Sequence, residues 1–562
     1  MFSNFKRNAI ALAVGSTILG SAHGFVVNDQ FSGTYFEPGK SGRGFILDVV
    51  PFDHQEFGDS VVVQWFTYRD GQPIWLFAQG DIDQNTNTAQ FDVLEFAGGV
   101  FGEEFEEGDA NASVWGSGSI KFNSCNSVTA TFDGVDGAGT QELAPATRGD
   151  NCIIEEEFSE CPAFSSGPGS IDGTCIIGGE LEGDVTLTNE ITWLIQGQLF
   201  VDEGDRLFIE PGTELIGGTL GDTDTLIVRQ GGQIFAEGTV QNPIVMRGPN
   251  AETRAEWGGV VINGFAPING CSEGVEVCTA QGEGNSGTYG GNDPTDNSGV
   301  LRYVIVSNAG RQFSEENELN GIAFQGVGNG TTVEYIQVHL NEDDGVEFFG
   351  GTVNAKYIVL TGNGDDSLDW TQGWQGNVQY VVTKQYTDNG DQGIEADNNG
   401  DANDSLPRAL PTLANMTFVG QSNTDIGWLL REGTGARIAN SLATGFGEFC
   451  VDIDGSSTFA NEANLTVQNS VVGGCGATFA DEEGDAFLVS DWFLNQAGNI
   501  EADPMLDNYV PTAGSPALNV GNVPFTDAFF DNVDFAGAIR DAKSDWTSGW
   551  TVGLDRDAPL GQ

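Results

Sequence analysis

Positive charge is scarce in this chain of 562 residues. Its 21 lysines and arginines face 82 aspartates and glutamates, a formal net charge of −61. Charge of that sign repels phosphate backbones and anionic lipid, so nucleic acid and anionic membrane are excluded as electrostatic partners. It suits a salt-tolerant extracellular protein and it attracts divalent cations. Histidine is rarer still, and beyond the first residues only His54 and His339 occur. There is no H-E-x-x-H pair and no Walker loop, which removes zinc-protease and NTPase readings. No nucleophile elbow stands between a strand and a helix. No two cysteines have C-x-x-C spacing, so a zinc or redox motif is unsupported. Long apolar runs are missing as well: the stretch over residues 9–20 is too short to span a bilayer, and no later one qualifies.

What the chain does have is a degenerate repeat in its second half. Leu301-Arg302-Tyr303-Val304, Val333-Glu334-Tyr335-Ile336, Ala355-Lys356-Tyr357-Ile358 and Val378-Gln379-Tyr380-Val381 align with Leu413-Ala414-Asn415-Met416, Ile438-Ala439-Asn440-Ser441 and Val467-Gln468-Asn469-Ser470. The third position is Tyr four times and then Asn three times, at offsets of 32, 22, 23, 35, 25 and 29 residues. A short strand recurring at such intervals, with loops of variable length between, is the signature of a β-solenoid. Alternate apolar residues fill a shared column, Gly and Asn serve the tight corners, and like residues stack at about 4.8 Å along the axis.

Lys6 and Arg7, the apolar stretch behind them and the small residues Ser21-Ala22-His23-Gly24 read as a secretion signal over residues 1–24. Eight cysteines fit an oxidising compartment. They fall into close pairs, Cys125 with Cys152, Cys161 with Cys175, Cys271 with Cys278 and Cys450 with Cys475, and are expected to form disulfides. Residues 25–152 form an all-β module. Its alternating segment Val61-Val62-Val63-Gln64-Trp65-Phe66-Thr67-Tyr68, the turn Arg69-Asp70-Gly71 and the strand through Ile74-Trp75-Leu76 make a β-hairpin. Residues 153–181, with Glu155-Glu156-Glu157 and a Ser/Gly/Pro run, read as a linker. Residues 182–500 are the parallel β-helix, and 501–562 a cap over its last rung, where strand edges would otherwise be open.

Two resemblances sharpen this all-β organisation. The opening Gly33-Thr34-Tyr35-Phe36-Glu37-Pro38-Gly39-Lys40-Ser41-Gly42-Arg43-Gly44-Phe45 and the hairpin after it resemble a small antiparallel β-sandwich or barrel module of secreted gammaproteobacterial proteins. Here Tyr35 or Phe36 replaces the usual opening Trp, and the resemblance implies no activity. Leu207-Phe208-Ile209-Glu210-Pro211-Gly212-Thr213, with Gln233-Ile234-Phe235-Ala236-Glu237-Gly238-Thr239 and Asn242-Pro243-Ile244, resembles the entry rungs of right-handed parallel β-helices. From about Glu180 onward, with Trp257-Gly258-Gly259-Val260 and the insertion behind it, the chain looks like a family of exported bacterial β-helix proteins. That implies a Gram-negative cell and a location outside the cytoplasm: extracellular, on the outer surface, or periplasmic.

A second ladder lies inside the repeat. Asn320-Gly321-Ile322-Ala323-Phe324, Asp344-Gly345-Val346-Glu347-Phe348, Asp366-Ser367-Leu368-Asp369-Trp370 and Gln392-Gly393-Ile394-Glu395-Ala396 align. If Ile322, Val346, Leu368 and Ile394 point inward, the next residue points out, because strand side chains alternate. Glu347, Asp369 and Glu395 are then stacked on an outer face, with Asp343, Asp344, Asp365, Asp366 and Asp391 at the corner before them and Asp397 beyond. Carboxylates about 5 Å apart repel by about 1 kcal/mol per pair even in water. A bound cation relieves this, and Ca2+ suits several carboxylate oxygens. Raised pKa values or a paired base would relieve it too, and Asp and Asn also make corner turns with no ligand at all. Trp374 and Tyr386 are the candidate sugar platforms, while Trp370 belongs with the core.

These residues lead to an exported or cell-surface protein, monomeric and not inserted in a membrane. It is expected to bind Ca2+ and a carbohydrate or surface partner through an acidic face flanked by aromatics. The alternative is a polysaccharide lyase or glycoside hydrolase in the same groove, with Asp366, Asp369, Lys384, Arg408 and Arg431 as its candidate catalytic residues. A second alternative is an envelope protein or adhesin without a ligand site. Fold alone does not choose among them.

Overall fold

The computed structural model describes residue 27 and residues 31–40, 42–50, 60–83, 86–98, 110–124, 127–148, 161–167, 174–220, 224–271, 275–312 and 319–559. The chain divides into two compact units, Met1–Ser159 and Glu160–Gln562. The secretion signal and the Cys125–Cys152 pair lie outside the described residues. The other three cysteine pairs are disulfides: Cys161–Cys175, Cys271–Cys278 and Cys450–Cys475. Among the described residues no helix is long and apolar enough to cross a membrane.

The first unit is a closed antiparallel barrel of eight strands, Gly33–Phe36 pairing with both Gly44–Val50 and Gly137–Arg148 to shut it. Its expected hairpin joins Ser60–Arg69 to Gln72–Asp83 through the two residues Asp70 and Gly71. Both have positive φ, 49° and 76°, which gives the type I′ turn whose twist matches paired strands. Tyr35, Phe45, Trp65, Trp115 and Phe122 fill the barrel.

The main sheet of the second unit is wound into a parallel β-helix, and two short antiparallel pairs stand beside it. The solenoid begins earlier than the sequence suggested. Thr174–Leu181, expected within the linker, is a strand paired in parallel with Thr192–Val201, because Cys175 and Ile177 supply buried apolar positions. Each complete rung has three strand segments. Val260–Asn263, Ile322–Gln325, Val346–Phe349, Leu368–Thr371, Ile394–Ala396 and Ile426–Leu430 stack in parallel as the first face. The second and third faces come from single bent strands, Gly299–Ser307, Thr332–His339, Asn354–Thr361, Asn377–Lys384 and Thr412–Val419.

The Tyr/Asn ladder is the bend. Arg302 pairs with Glu334 and Val304 with Ile336, while the tyrosines between them are skipped by the register. Tyr303, Tyr335, Tyr357, Tyr380, Asn415, Asn440 and Asn469 all have positive φ, between 49° and 67°. At this corner, from Tyr303 to Asn469, a left-handed residue turns the chain between the second and third faces, and because rungs are in register these residues fall in one column. The tyrosine rings stack at 4.4, 4.3 and 5.0 Å.

That column is also where the C-terminal segment docks. The tail was expected to close the last rung. Instead it runs back along the flank of the solenoid, where an apolar strip awaits it. Trp550 meets Tyr303 edge-on at 5.5 Å and Trp546 meets Tyr357 at 5.2 Å. Where the ladder changes to Asn, contact changes to hydrogen bonds: Asn415 Nδ2 donates to the Phe535 carbonyl at 3.0 Å, Asn440 Nδ2 to Gly521 at 2.7 Å and Asn469 Nδ2 to Asn522 at 3.0 Å. Gln337 and Gln379 bond the tail backbone reciprocally, donating to Val552 O and Asp531 O and accepting from the amides of the same residues. Arg556 then pairs with Glu252, on an early rung.

The corner makes a stability prediction. Tyr357→Asn loses ring stacking but keeps a residue that tolerates the left-handed region. Tyr357→Val loses the same contacts and adds backbone strain of about 1–2 kcal/mol. Chemical denaturation is expected to find the Val variant weaker than the Asn variant by about that amount. Equal stabilities would mean that the corner conformation sets no demand on the residue.

Candidate metal centre

The first face carries the acidic ladder, and its register follows the repeat. Val346, Leu368 and Ile394 are partners across successive rungs, and so are Glu347, Asp369 and Glu395. The apolar set points into the core, where Phe324 stacks on Phe348 at 5.3 Å. Strand alternation leaves the acids on the outside. The preceding rung supplies Ala323 at this position and the following one Leu429, so three carboxylates stand between two apolar residues.

The corner before the ladder uses its aspartates in two ways. Asp344 Oδ1 accepts the amide of Asp366 at 3.0 Å, and Asp366 Oδ1 accepts the amide of Gln392 at 2.6 Å. Each carboxylate thus ties its rung to the next, which is the ligand-free corner role. The same residues also enter four groups whose ligand oxygens lie within 4.8 Å of one another: Asp343/Asp344/Asp365, Asp344/Glu347/Asp369, Asp365/Asp366/Asp391 and Asp366/Asp369/Glu395. Two oxygens on one Ca2+ sit no more than about 4.8 Å apart, twice the usual bond length of about 2.4 Å. The spacing therefore lets the oxygens of each group share one cation.

The ladder is covered rather than open. Asp344, Asp366, Glu347 and Asp369 are 6, 3, 8 and 8% exposed, whereas Asp365 is exposed. The insertion after Asn263 lies over the end nearest Glu347, its Ile268 and Tyr289, with Leu319 of the loop after Ser307, packed on Ala323 and Phe349. Tyr289 donates to Gln372 Oε1 at 2.8 Å. Asn320 Nδ2 donates to Glu347 at 2.6 Å and to Glu283 of the insertion at 3.3 Å. At the other end Arg431 pairs with Glu395 at 2.7 Å and with Asp397 at 3.0 Å.

Burial without enough positive charge decides the electrostatics. Desolvation, reinforced by neighbouring carboxylates, pushes Asp344, Glu347, Asp366 and Asp369 well above the ordinary carboxylate range. Burial carries Glu395 up to about 7 despite Arg431, and burial and Asp425 carry Asp391 up to about 7. Asp369 Oδ1 is buried with no hydrogen-bond partner. A carboxylate oxygen in that condition carries a desolvation cost of about 1–3 kcal/mol or more.

Several expected site residues lie elsewhere. Trp374 is fully buried, stacked on Phe348 at 4.0 Å with its Nε1 donating to the Val353 carbonyl, so it offers no platform to a sugar. Positive φ at Gln372 and Gly373 turns the chain back and puts the indole into the core. Tyr386 is also buried, its hydroxyl donating to the Gly553 carbonyl of the tail at 2.7 Å. Trp370 is in the core, as anticipated. Lys384 is held by the tail, bonding Asn508 Oδ1 and Leu554 O and pairing with Asp557 at 2.9 Å. Arg408 bonds Asn403 and Asp404 of its own loop and the Gly433 carbonyl of the next rung. Of the three cations considered for catalysis, Arg431 alone contacts the ladder. Asp397 joins Arg431 and is in none of the carboxylate groups. Glu283, Asn320 and Gln372 were missed as site residues: Glu283 comes from the insertion, whose folded path has no periodic pattern to betray it, Gln372 is tied to the insertion through Tyr289, and Asn320 holds the repeat's own corner position, where Asp344 and Asp366 stand in later rungs.

The burial of Trp374 makes a prediction of its own. Trp374→Ala is expected to cost about 3–5 kcal/mol of stability, as for other large side chains removed from a core. A denaturation midpoint equal to that of the unsubstituted protein would place the ring outside the core.

Sequence comparison agrees with the fold. The profile of a family described as a pectate-lyase-like β-helix domain matches residues 179–504. No curated protein and no solved structure matches the chain. The matched stretch is more than half of the 562 residues and coincides with the wound sheet that carries the acidic face, and on that basis the chain belongs to the pectate-lyase-like β-helix family.

Proposed function

We propose that this chain is a carbohydrate-related or surface β-helix protein that holds Ca2+ in the acidic ladder of its first face. The observation that carries the cation is Asp369, whose buried Oδ1 has no hydrogen-bond partner and stands among carboxylates of its own and the neighbouring rungs. A divalent ion there gives that oxygen a partner and removes the repulsion that otherwise drives protons onto the ladder. The ligand set favours Ca2+ over transition metals, because it is all carboxylate oxygen with neither His nor Cys. It favours Ca2+ over Mg2+ because Mg2+ retains several waters, which a closely packed set of acids does not accommodate.

The triads draw on successive rungs, so the ion acts as a clamp along the solenoid axis. A carbohydrate or surface partner is supported by the family's description and by Asp343, Asp365 and Asp391, which are half-buried or exposed along the ladder's edge. The lyase or hydrolase reading has less behind it: its one cation at the ladder, Arg431, is engaged by Glu395 and Asp397. Export to the periplasm, cell surface or medium goes with the reading, since disulfides persist in such compartments.

Calorimetric titration of Ca2+ into chelator-stripped protein tests this, beside the Asp366→Asn/Asp369→Asn variant. Saturable binding is expected in the first and not in the second. At a free concentration of about 100 times Kd the ion should add about 2.7 kcal/mol of stability, visible as a raised melting temperature. Equal binding by both proteins, or none by the unsubstituted chain, would overturn the proposal.

A further inference from the structure

We infer that the ladder takes two divalent cations side by side, one in each inner triad, with Asp369 as their shared ligand. This rests on the reading that the ladder binds Ca2+. The inner groups are Asp344/Glu347/Asp369 and Asp366/Asp369/Glu395, each within 4.8 Å across its ligand oxygens. They are related by one step along the axis, since Glu347 pairs with Asp369 and Asp369 with Glu395. Asp369 is the member common to both.

A single ion does not satisfy this set. Placed in the first triad, it leaves Asp366 without a cation, 3% exposed. Placed in the second, it leaves Asp344 and Glu347, 6 and 8% exposed, with hydrogen bonds from Asp366 N and Asn320 but, among the described residues, no ion pair. Charge balance points the same way. Two divalent ions and Arg431 supply five positive charges against the five inner carboxylates and Asp397, whereas one ion and Arg431 supply three. The repulsion between neighbouring ions is offset by the shared carboxylate between them, as in other sites where an acid bridges two metals.

The ends of the array are built differently, which limits it to two. Beyond Glu395 the next rung offers Leu429, and Arg431 occupies the space over Glu395 and Asp397 with a fixed positive charge. Beyond Glu347 the preceding rung offers Ala323, covered by Tyr289 and Leu319. The outer triads at the corner include the exposed Asp365 and meet solvent, so they hold an ion weakly in salt.

The test is the number of Ca2+ ions bound per full chain, measured by equilibrium dialysis at physiological salt with the metal alone as probe. Two tightly held ions are expected. Glu347→Gln and Glu395→Gln should each retain one, and Asp369→Asn should lose both, with circular dichroism reporting whether each variant keeps its β signal. One ion in the unsubstituted protein would overturn the inference and leave the calcium reading standing. None would overturn both. If a variant fails to fold, the count in the unsubstituted chain decides the matter. If both Gln variants retain two ions, the assignment of the triads is wrong.

Discussion

The solenoid depends on parallel strands stacking in register, and from Tyr303 to Asn469 the bend between its second and third faces is made by a left-handed residue at the same place in each rung. A strand that must turn between two faces without a loop needs a positive φ, which most residues resist. Here tyrosine fills the position four times and asparagine three. Asparagine tolerates the conformation through its short polar side chain. Tyrosine does not have that advantage, and its compensation is collective: four rings in one column stack on one another at 4.3–5.0 Å, a contact worth about 0.5–1.5 kcal/mol per pair beyond area burial. The strain of the corner and the stacking of the rings are thus two consequences of one repeat. The exposed side of that column would be a long aromatic strip, and the C-terminal segment covers it with Trp546 and Trp550 after the asparagines have taken up its backbone at Gly521, Asn522 and Phe535.

The same register has an opposite effect on the first face. Identical stacking that brings tyrosines together also brings Glu347, Asp369 and Glu395 together, and there it is unfavourable. A solvated acidic ladder would be relieved by water and salt. This one is covered by the insertion at one end and by Arg431 at the other, so its charge is neither screened nor balanced by the protein. Raised carboxylate pKa values and the orphaned Asp369 Oδ1 are the signs of that imbalance. A bound cation, as proposed, would let the acids stay charged and turn the least favourable column of the solenoid into a clamp between rungs.

Aromatic residues beside acids invite a sugar-binding interpretation, and the structure separates the two. Trp370, Trp374 and Tyr386 are all in the interior. Trp370 follows strand alternation, Trp374 is turned inward after Gln372-Gly373, and Tyr386 is sealed by Gly553 of the tail. The face that holds the acids is therefore not an aromatic groove. What it presents outward is a line of half-exposed aspartates beside a packed insertion.

Much of the fold was legible in the sequence because a repeat in register is a one-dimensional property. Strand positions, inward and outward sides, the recurring corner and the stacking of Glu347, Asp369 and Glu395 all follow from spacing and from alternation along a strand. The hairpin at Asp70-Gly71 and three of the cysteine pairs were equally local, since each depends on residues close in the chain. What only the tertiary structure decided was which surfaces are covered. The path of the tail along the flank, the approach of Glu283 and Tyr289 to the ladder, the inward turn of Trp374 and the capture of Lys384 by Asn508 and Asp557 join residues far apart in sequence, with no period to announce them. Burial is what changes a row of acids into a set whose pKa values are pushed up, and burial belongs to the folded chain.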